Sequence, residues 1–375
     1  MAPTGTQTGS SAGGPTLADQ SGPPAGGSVP AGFEPASVTF VSTETGFVLG
    51  EAGGSASLVR TSDDGASWVS LQGPPAAYVT PFDARQSSAA QVSEVRFADP
   101  MDGWAYGPSL FATHDGARTW QQVNLGGTVV SLETMGGVVD AVVSPCGAGA
   151  TCTGPLRLEQ APVSGGPFET VLVGPSVQNA GVDAQDLSLH APVGFVLLGF
   201  TGSDGSYRPA FYATGNLADP HGWNAFPDPC AVTKGGLASF VAPNTTTLYS
   251  LCGGDAAMGS SEKYAVVTTG GRSTLVGDAP YPGDGGTLAA TPSGDLVLAT
   301  ASGASWLDRS VTGGASWSTA AFYGDGGFGF YDLGFTTDTQ GVVVHGLPIP
   351  AEAPNTPSLL MTHDGGASWQ VVPIG

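Results

Sequence analysis

The chain has 375 residues, of which 10 are basic and 31 are acidic, so its formal net charge at pH 7 is −21. A surface with this charge repels nucleic-acid phosphates and anionic membranes, which excludes both as partners. No apolar run is long enough to cross a membrane, and 59 Gly with 30 Pro leave little room for helices.

The first segment, residues 1–35, differs in composition from the rest. Residues 1–30 consist mainly of Gly, Ser, Pro, Thr and Ala, with Asp19 as the one charged residue. Such a segment cannot bury enough apolar surface to offset its ordering entropy, so we expect a disordered linker. A linker at this place favours a signal peptide or lipid anchor ahead of it, and a folded region over 36–375.

Four octets in the folded region share one spelling. TSDDGASW begins at residue 61 and THDGARTW at residue 113, which is 52 residues later. SVTGGASW begins at 310 and THDGGASW at 362, again 52 residues apart. Eroded copies that begin near 162, 216 and 267 fill the interval between them. Repeats of this period predict seven copies of one structural unit.

Each octet follows segments in which apolar and polar residues alternate around short turns, as in VTFVSTETGFVLG and LGFTTDTQGVVVHG. This alternation predicts β-strands joined as hairpins. Four antiparallel strands in about 50 residues form one blade of a propeller. The sequence therefore predicts an all-β, seven-bladed β-propeller over 36–375, with six or eight blades as the alternatives because the fourth unit is so eroded. We expect the C-terminal segment to complete the last blade, so that deleting 1–35 leaves the stability unchanged.

The octets resemble the Asp-box, or BNR, repeat of sialidase-like propellers. The shared residues are Asp63, Trp68, Asp115, Trp120, Trp317, Asp364 and Trp369, whereas Thr312 replaces Asp in the third octet. The resemblance implies that each box joins the third and fourth strands of a blade, on the face opposite the usual binding surface.

Residues 95–120, VRFADPMDGWAYG with THDGARTW, resemble the repeats of photosystem-assembly-factor-like propellers. This resemblance implies a non-catalytic scaffold that docks proteins outside the cytoplasm. Those factors present a basic patch to their partner, and this acidic chain has none. We therefore do not carry over the photosynthetic role.

Four cysteines bear on the compartment. Cys146 and Cys152 bracket a Gly-rich bend, whereas Cys230 precedes the fifth unit and Cys252 ends the second strand of that unit. Neither pair has the spacing or the His partners of a zinc site. Two disulfides in an extracytoplasmic bacterial protein are the preferred interpretation, and four buried thiols in a cytosolic protein are the alternative.

The loops on the face opposite the octets are long and carry aromatic and charged residues that are suited to stacking and hydrogen-bonding a ligand. These candidate ligand-binding residues are Tyr78, Phe82, Asp204, Tyr207, Arg208, Tyr281, Asp284, Tyr323 and Phe328. The alternative is that these aromatic residues pack beneath their own loops or fill the mouth of the channel.

The sequence identifies no catalytic residue. Sialidases need three clustered arginines, but several of the arginines here lie in or beside the octets, and the Arg-Ile-Pro motif is absent. The candidates for an acid–base pair of a glycoside hydrolase are the carboxyl groups of Glu94, Asp99 and Asp102. Asp99 and Asp102, however, lie in the segment ADPMDG, which is typical of a type I turn. No cofactor is indicated. Calcium is the one metal for which ligands stand near flexible turns, in GDGG at 283–286 and 324–327.

These observations favour a monomeric, non-catalytic propeller outside the cytoplasm that binds a protein partner or a glycan of the cell surface. The alternatives are a glycoside hydrolase-like enzyme, not a sialidase, with its site in the channel mouth opposite the Asp-box face, and a passive spacer. An enzyme needs paired carboxylates there, at least one of them with a perturbed pKa. A binder needs no such pair.

Overall fold

The computed structural model describes residues 22–81, 90–145, 153–178, 181–201, 207–257, 259–283, 286–348 and 356–375. Within these ranges the chain forms seven antiparallel sheets in sequence order, each with four principal strands. The first strand of each sheet contacts the first strand of the next, and the seventh contacts the first. The seven-bladed β-propeller predicted from the sequence is therefore confirmed.

Blade 1 contains β1 (Glu34–Phe40), β2 (Gly46–Ala52), β3 (Ser55–Thr61) and β4 (Val69–Leu71), with β5 (Ala77–Tyr78) and β6 (Gln91–Val92) added at its edge. Blade 2 contains β7 (Glu94–Phe97), β8 (Gly103–Tyr106), β9 (Leu110–Thr113) and β10 (Gln121–Val123). Blade 3 contains β11 (Thr128–Met135), β12 (Val138–Ser144), β13 (Thr153–Pro162) and β14 (Glu169–Gln178).

Blade 4 contains β15 (Gly181–His190), β16 (Val193–Thr201), β17 (Tyr207–Thr214) and β18 (Asn224–Ala225). A 3-10 helix (Pro229–Val232) precedes blade 5, which contains β19 (Gly236–Asn244), β20 (Thr247–Ala257), β21 (Ser260–Thr269) and β22 (Arg272–Asp278). Blade 6 contains β23 (Thr287–Ala290), β24 (Leu296–Ala301), β25 (Gly303–Ser310) and β26 (Ser318–Gly326). Blade 7 contains β27 (Phe330–Phe335), β28 (Gly341–His345), β29 (Ser358–Thr362) and β30 (Gln370–Val372).

All four octets, and the three eroded copies, connect the third and fourth strands of their blades. In blade 1, the hydroxyl of Thr61 accepts a hydrogen bond from the Gly65 amide at 2.9 Å, and the Asp63 carboxylate accepts from the amide of Ser67 at 2.9 Å. Blades 2 and 7 repeat both bonds. In blade 6 the hydroxyl of Thr312 takes the place of the carboxylate and accepts from the Ser316 amide at 2.9 Å.

This connectivity gives the propeller two different ends. The octets and the turns between first and second strands lie at one end, which we call the turn face. The connections between second and third strands, and those between blades, lie at the other end, which we call the loop face. The candidate ligand-binding residues of the sequence analysis that lie within the described ranges all belong to the loop-face end.

The core lies between the blades. Phe47 and Leu49 of blade 1, for example, pack with Val95 and Phe97 of blade 2. The octet tryptophans lie at the edge of such clusters, Trp68 between blades 7 and 1 being one of them. Alternating apolar residues in the inner strands thus supply the packing that each blade cannot provide alone.

Hydrogen bonds between neighbouring inner strands also join the blades. In four places a side chain of one inner strand accepts a hydrogen bond from a backbone amide of the next inner strand, at distances of 2.8 to 3.1 Å. The amide of Val95 donates to Ser37, that of Ala242 to Ser188, that of Leu288 to Ser239 and that of Val38 to Asp332. The bond to Asp332 joins blade 7 to blade 1, where the ring closes.

The ring closes without a strand shared between the two ends of the described chain, as expected, because all four strands of blade 7 follow residue 329. Residues 22–33, however, pack on the outside of the closure, and we call them the N-terminal strap. Gly27 exchanges two backbone hydrogen bonds with Ser70 of blade 1, at 2.8 and 2.9 Å. Val29 and Phe33 pack on the apolar cluster between blades 7 and 1.

These contacts correct the expectation that deleting residues 1–35 leaves the stability unchanged. The apolar side chains of the strap follow a run of Gly and Pro, and the composition of the segment as a whole obscured them. Residues 1–21 lie outside the described residues, so the predicted linker stays a prediction there.

One of the two predicted disulfides is confirmed. Cys230 in the 3-10 helix is bonded to Cys252 in β20, and both residues are fully buried. The bond fixes the connection between blades 4 and 5 to the second strand of blade 5. Cys146 and Cys152 lie outside the described residues.

A buried acid between blades 3 and 4 makes the stability depend on pH. Asp140 is 0% exposed, and burial raises the pKa of its carboxyl to about 7. One carboxyl oxygen accepts a hydrogen bond from Gln160 at 2.9 Å, whereas the other is buried without a partner among the described residues. The folded protein therefore binds more protons than the unfolded chain between about pH 4 and pH 7, and the contribution of Asp140 to stability falls as the pH rises through this window.

We expect Asp140→Asn to raise the melting temperature by several degrees at pH 8 and to change it little at pH 4, because Asn replaces an acid that must ionise in the core. Thermal unfolding at both pH values measures the effect. Glu44→Gln, which removes a charge from an exposed turn, is the matched control. Equal shifts at both pH values would show that the Asp140 carboxyl does not titrate in this range.

Candidate functional site

The central channel contains two cavities of about 550 and 540 Å³ whose walls are formed mainly by the inner strands. Each is large enough to hold a small ligand. Charged residues from blades 2, 3, 4 and 7 line them, and these residues are Glu94, Arg96, Asp99, Glu133, Asp186 and Asp332.

Arg96 connects three blades across the channel. Its Nε donates a hydrogen bond to Glu133 of blade 3 at 2.8 Å, and one terminal nitrogen donates to Asp332 of blade 7 at 2.9 Å. The other terminal nitrogen donates to the carbonyl of Val95. The Arg96 and Asp332 side chains are only 17% and 9% exposed. This ion network therefore lies in an environment where charge pairs are weakly screened.

Asp332 occupies an irregular position in its strand. The pairing register of β27 shifts between Tyr331 and Gly334, and Asp332 has a φ of +52°, in the left-handed region. Asp tolerates this conformation better than most residues. The turn directs the carboxylate to Arg96 and to the amide of Val38, which donates at 2.9 Å. Both oxygens of Asp332 are thereby occupied.

Two further carboxyl groups lie in the channel without a cationic partner of their own. Burial and the nearby Asp332 charge raise the pKa of Glu94 to about 7, although Tyr106 donates a hydrogen bond to it at 2.6 Å. Burial, with a smaller effect of Glu133, also raises the pKa of Asp186 to about 7. The channel thus holds both ionised and protonated carboxyl groups at neutral pH, and it can both accept and donate hydrogen bonds.

Among the candidate ligand-binding residues, the described side chains of Tyr78 and Tyr323 lie in different clusters, between blades 1 and 2 and between blades 6 and 7. Phe82, Asp204 and Asp284 lie outside the described residues, and of Tyr207 and Arg208 the structure describes only the backbone, at the loop-face end of β17. Tyr78 packs beside the core between blades 1 and 2, and burial together with the Glu94 carboxyl raises its pKa well above the usual range. Of the described side chains in this set, Tyr78 comes nearest to the channel acids.

Tyr323 and Phe328 lie together at the loop-face end between blades 6 and 7. The ring of Tyr323 packs against His345 with centroids 4.3 Å apart and planes tilted by 32°, and His345 contacts Asp325 at 2.6 Å. Asp325 also accepts a hydrogen bond from Ser305 at 2.9 Å. Because Asp325 stands between the serine and the histidine, this group is not arranged for nucleophilic catalysis, which places the histidine in the middle.

Described oxygen atoms in and beside the GDGG motifs already have protein donors, whereas Asp284 of the first motif lies outside the described residues. Lys263 is 2% exposed, and its ammonium group donates to the Gly283 carbonyl at 2.7 Å and contacts four other carbonyls of residues 261 and 280–282 at 3.1 to 3.3 Å. Asp325 of the second motif binds Ser305, His345 and the Gly327 amide. In the described ranges no three His, Cys, Asp or Glu side chains form a group suited to a metal ion.

The three acids proposed for acid–base chemistry separate into two groups. Asp99 accepts hydrogen bonds from the amides of Met101 and Asp102 at 2.7 and 2.9 Å, as in a turn. Asp102 contacts His114 at 2.6 Å on the turn face. Glu94, in contrast, is the first residue of β7 and lies at the loop-face end of the channel.

Sequence reasoning missed Arg96, Glu133, Asp186 and Asp332 as channel residues. A signal was present, because each stands in the first strand of its unit, flanked by residues that pack between blades. Polar residues in the innermost strand of a propeller face the axis. Their mutual contacts join blades that are far apart in sequence, and no local pattern encodes them.

No protein-family model matches the sequence, and no curated protein matches it either. Solved structures do match the fold. YCF48 from Cyanidioschyzon merolae has a TM-score of 0.53 and 14% identity, over 89% of this chain and 97% of that one. A puromycin hydrolase has a TM-score of 0.58 and 14% identity, over 90% of this chain. A Mycobacterium tuberculosis puromycin-hydrolyzing peptidase has a TM-score of 0.56 and 11% identity, over 93%.

This chain spans only 53% and 56% of the length of the two hydrolases. At these identities the likeness concerns the propeller fold, which occurs here in hydrolases and in YCF48 alike. Among the described residues, no helix has the length and apolar character needed to cross a bilayer.

Proposed function

We propose that this protein is a non-catalytic binding propeller that holds a glycan in its central channel. The observation that carries the proposal is the channel cavity of about 540 Å³, lined by carboxyl groups from blades 2, 3, 4 and 7 around Arg96. Carboxylates and an arginine provide the acceptors and donors that sugar hydroxyl groups need. A protein surface would not enter a cavity of this size, whereas a few sugar units fill it.

A second candidate function is glycoside hydrolysis, with Glu94 as the proton donor. A carboxyl group with a pKa of about 7 beside the ionised Asp332 is the type of pair that such chemistry uses. Binding is favoured because Arg96 and the Val38 amide occupy both oxygens of Asp332, and Arg96 also holds Glu133. These contacts hold the two carboxylates in place and engage both oxygens of Asp332, which favours a binding role over attack on a sugar or activation of water.

The proposal includes the assignment of the four octets to the Asp-box repeat and an extracytoplasmic location. The Asp-box assignment is supported by the repeated turn hydrogen bonds. Thr61 and Asp63 make them in blade 1, their counterparts make them in blades 2 and 7, and Thr312 makes the corresponding bond in blade 6. The buried Cys230–Cys252 disulfide supports the extracytoplasmic location, because such bonds persist in oxidising compartments. Residues 1–21, which precede the strap, would then act as a tether to the cell envelope, and the propeller as a monomer.

A glycan-array and polysaccharide screen tests the proposal, scored for binding and for release of reducing sugar. Binding without release that is weakened by Asp186→Asn, and not by the control Glu44→Gln, supports it. Release of sugar that is lost in Glu94→Gln establishes the second candidate instead. Failure of every glycan to bind overturns both, and pull-down from an envelope extract would then seek a protein partner.

A further inference from the structure

The channel contains more acid groups than cations. Of the described residues that line its two cavities, five are acidic and Arg96 is the one Lys or Arg. The charge of Arg96 is already shared between Glu133 and Asp332. The remaining acids in the interior of the channel, Glu94 and Asp186, have no cation of their own. The site is therefore short of positive charge.

Glu94 and Asp186 also have unused hydrogen-bonding capacity. One oxygen of Glu94 accepts from Tyr106, and one oxygen of Asp186 accepts from the amide of Leu187 at 2.9 Å. The second oxygen of each has no hydrogen-bond donor among the described residues, and both side chains line the same cavity. Neither oxygen is among the buried side-chain atoms that lack a partner, so both are open to the cavity and accessible to a ligand. A donor group entering the cavity would satisfy both.

We propose that the channel selects a glycan with free amino groups, so that a protonated amine of the sugar lies between Glu94 and Asp186. This inference rests on the proposed glycan binding. An ammonium group supplies both what the cavity lacks, a positive charge, and up to three hydrogen-bond donors. An N-acetylated sugar of the same size supplies no charge and one amide donor, so it leaves the acids uncompensated.

The same geometry predicts that binding releases protons. Arg96, Glu133, Asp332 and Tyr106 are the titratable groups that act on Glu94, while Glu133, Arg96 and Glu94 act on Asp186; His190 lines the same cavity. Because Glu94 and Asp186 have pKa values of about 7, each is partly protonated at neutral pH. A ligand ammonium favours their ionised forms and lowers both pKa values, so protons leave as the ligand binds.

The test compares two chito-oligosaccharides of equal length, one fully de-N-acetylated and one fully N-acetylated, by isothermal titration calorimetry at pH 7. Each is titrated in phosphate and in Tris, which differ in ionisation enthalpy. We expect the de-N-acetylated oligomer to bind at least tenfold more tightly. The sugar amine is itself partly deprotonated at pH 7 and takes up protons as it binds, so the proton balance is compared with that of variants that lack one of the two acids. Relative to these variants, the wild type should release more protons, up to about one per site.

Variants locate the effect in the channel. Asp186→Asn and Glu94→Gln should each weaken binding of the de-N-acetylated oligomer at least fivefold and reduce the proton release, whereas Glu44→Gln should change neither. Thermal unfolding verifies that the variants are folded. If the N-acetylated oligomer binds equally well or better, the selection for amines is refuted while glycan binding stands.

Two other results also contradict the inference. Binding of the de-N-acetylated oligomer that neither channel variant weakens would place the amine outside the channel. A proton balance that is equal in the wild type and in the two channel variants would show that Glu94 and Asp186 do not face the ligand charge. If neither these oligomers nor any glycan of the array binds, the proposed function itself is wrong.

Discussion

Arg96→Met should lower the free energy of unfolding by about 3 kcal/mol, because it leaves the carboxylates of Glu133 and Asp332 in the channel without their cation. Removal of one partner from a buried ion pair costs about 3–5 kcal/mol. We expect the lower end of this range because the Glu133 side chain is one-third exposed. Urea-induced unfolding monitored by tryptophan fluorescence measures the change.

Two further variants show whether the effect comes from the charge network. Arg272→Met removes an exposed arginine from the outer strand of blade 5 and should change the stability little. Asp332→Asn in the Arg96→Met background removes one uncompensated charge while keeping an acceptor for the Val38 amide, so it should recover part of the loss. If Arg96→Met is as stable as Arg272→Met, the network contributes nothing to closure of the ring.

Removal of residues 1–33 should lower the melting temperature by about 6 °C or more, whereas removal of residues 1–21 alone should leave it unchanged. The longer truncation exposes the cluster between blades 7 and 1 that Val29 and Phe33 cover. Each of these side chains contributes about 1.5–3 kcal/mol when buried, and about 1 kcal/mol corresponds to about 2 °C in a chain of this size. Differential scanning calorimetry of the three chains measures the shift.

The double substitution Val29→Ala and Phe33→Ala in the full chain is the matched control, since it removes the apolar contacts but keeps the backbone pairing of Gly27 with Ser70. It should reproduce most of the loss. If the chain without residues 1–33 has the same melting temperature as the full chain, the strap lies on the ring closure without stabilising it.

Several parts of the structure could be predicted because their causes are local. The octets specify tight turns by residues four apart, as in the bonds between Asp63 and Ser67, and alternation in the neighbouring segments specifies strands. The spacing of the octets then determines the blade count. Glu94 was identified as a candidate acid, but the sequence could not distinguish it from Asp99 and Asp102, whose carboxyl groups serve the turn face.

The strap and the channel could not be predicted in the same way. Val29 and Phe33 are isolated apolar residues among Gly and Pro, and their burial depends on where the first and last blades meet. Arg96 meets Asp332 across 236 positions of sequence, and only closure of the ring brings the two together. Their energetic importance comes from burial, which no composition or period reveals.

The sequence by itself therefore determined the repeat and the strand order within each blade, because short-range turn chemistry and alternation encode them. It indicated the disulfide of blade 5 by cysteine position, and the structure decided that bond. The tertiary structure alone decided which acids share one cavity, which of them have a cation and which have a pKa raised to about 7. The physical reason is that desolvation and charge pairing depend on distances between blades. Those distances exist only once seven weakly interacting repeats have closed into a ring.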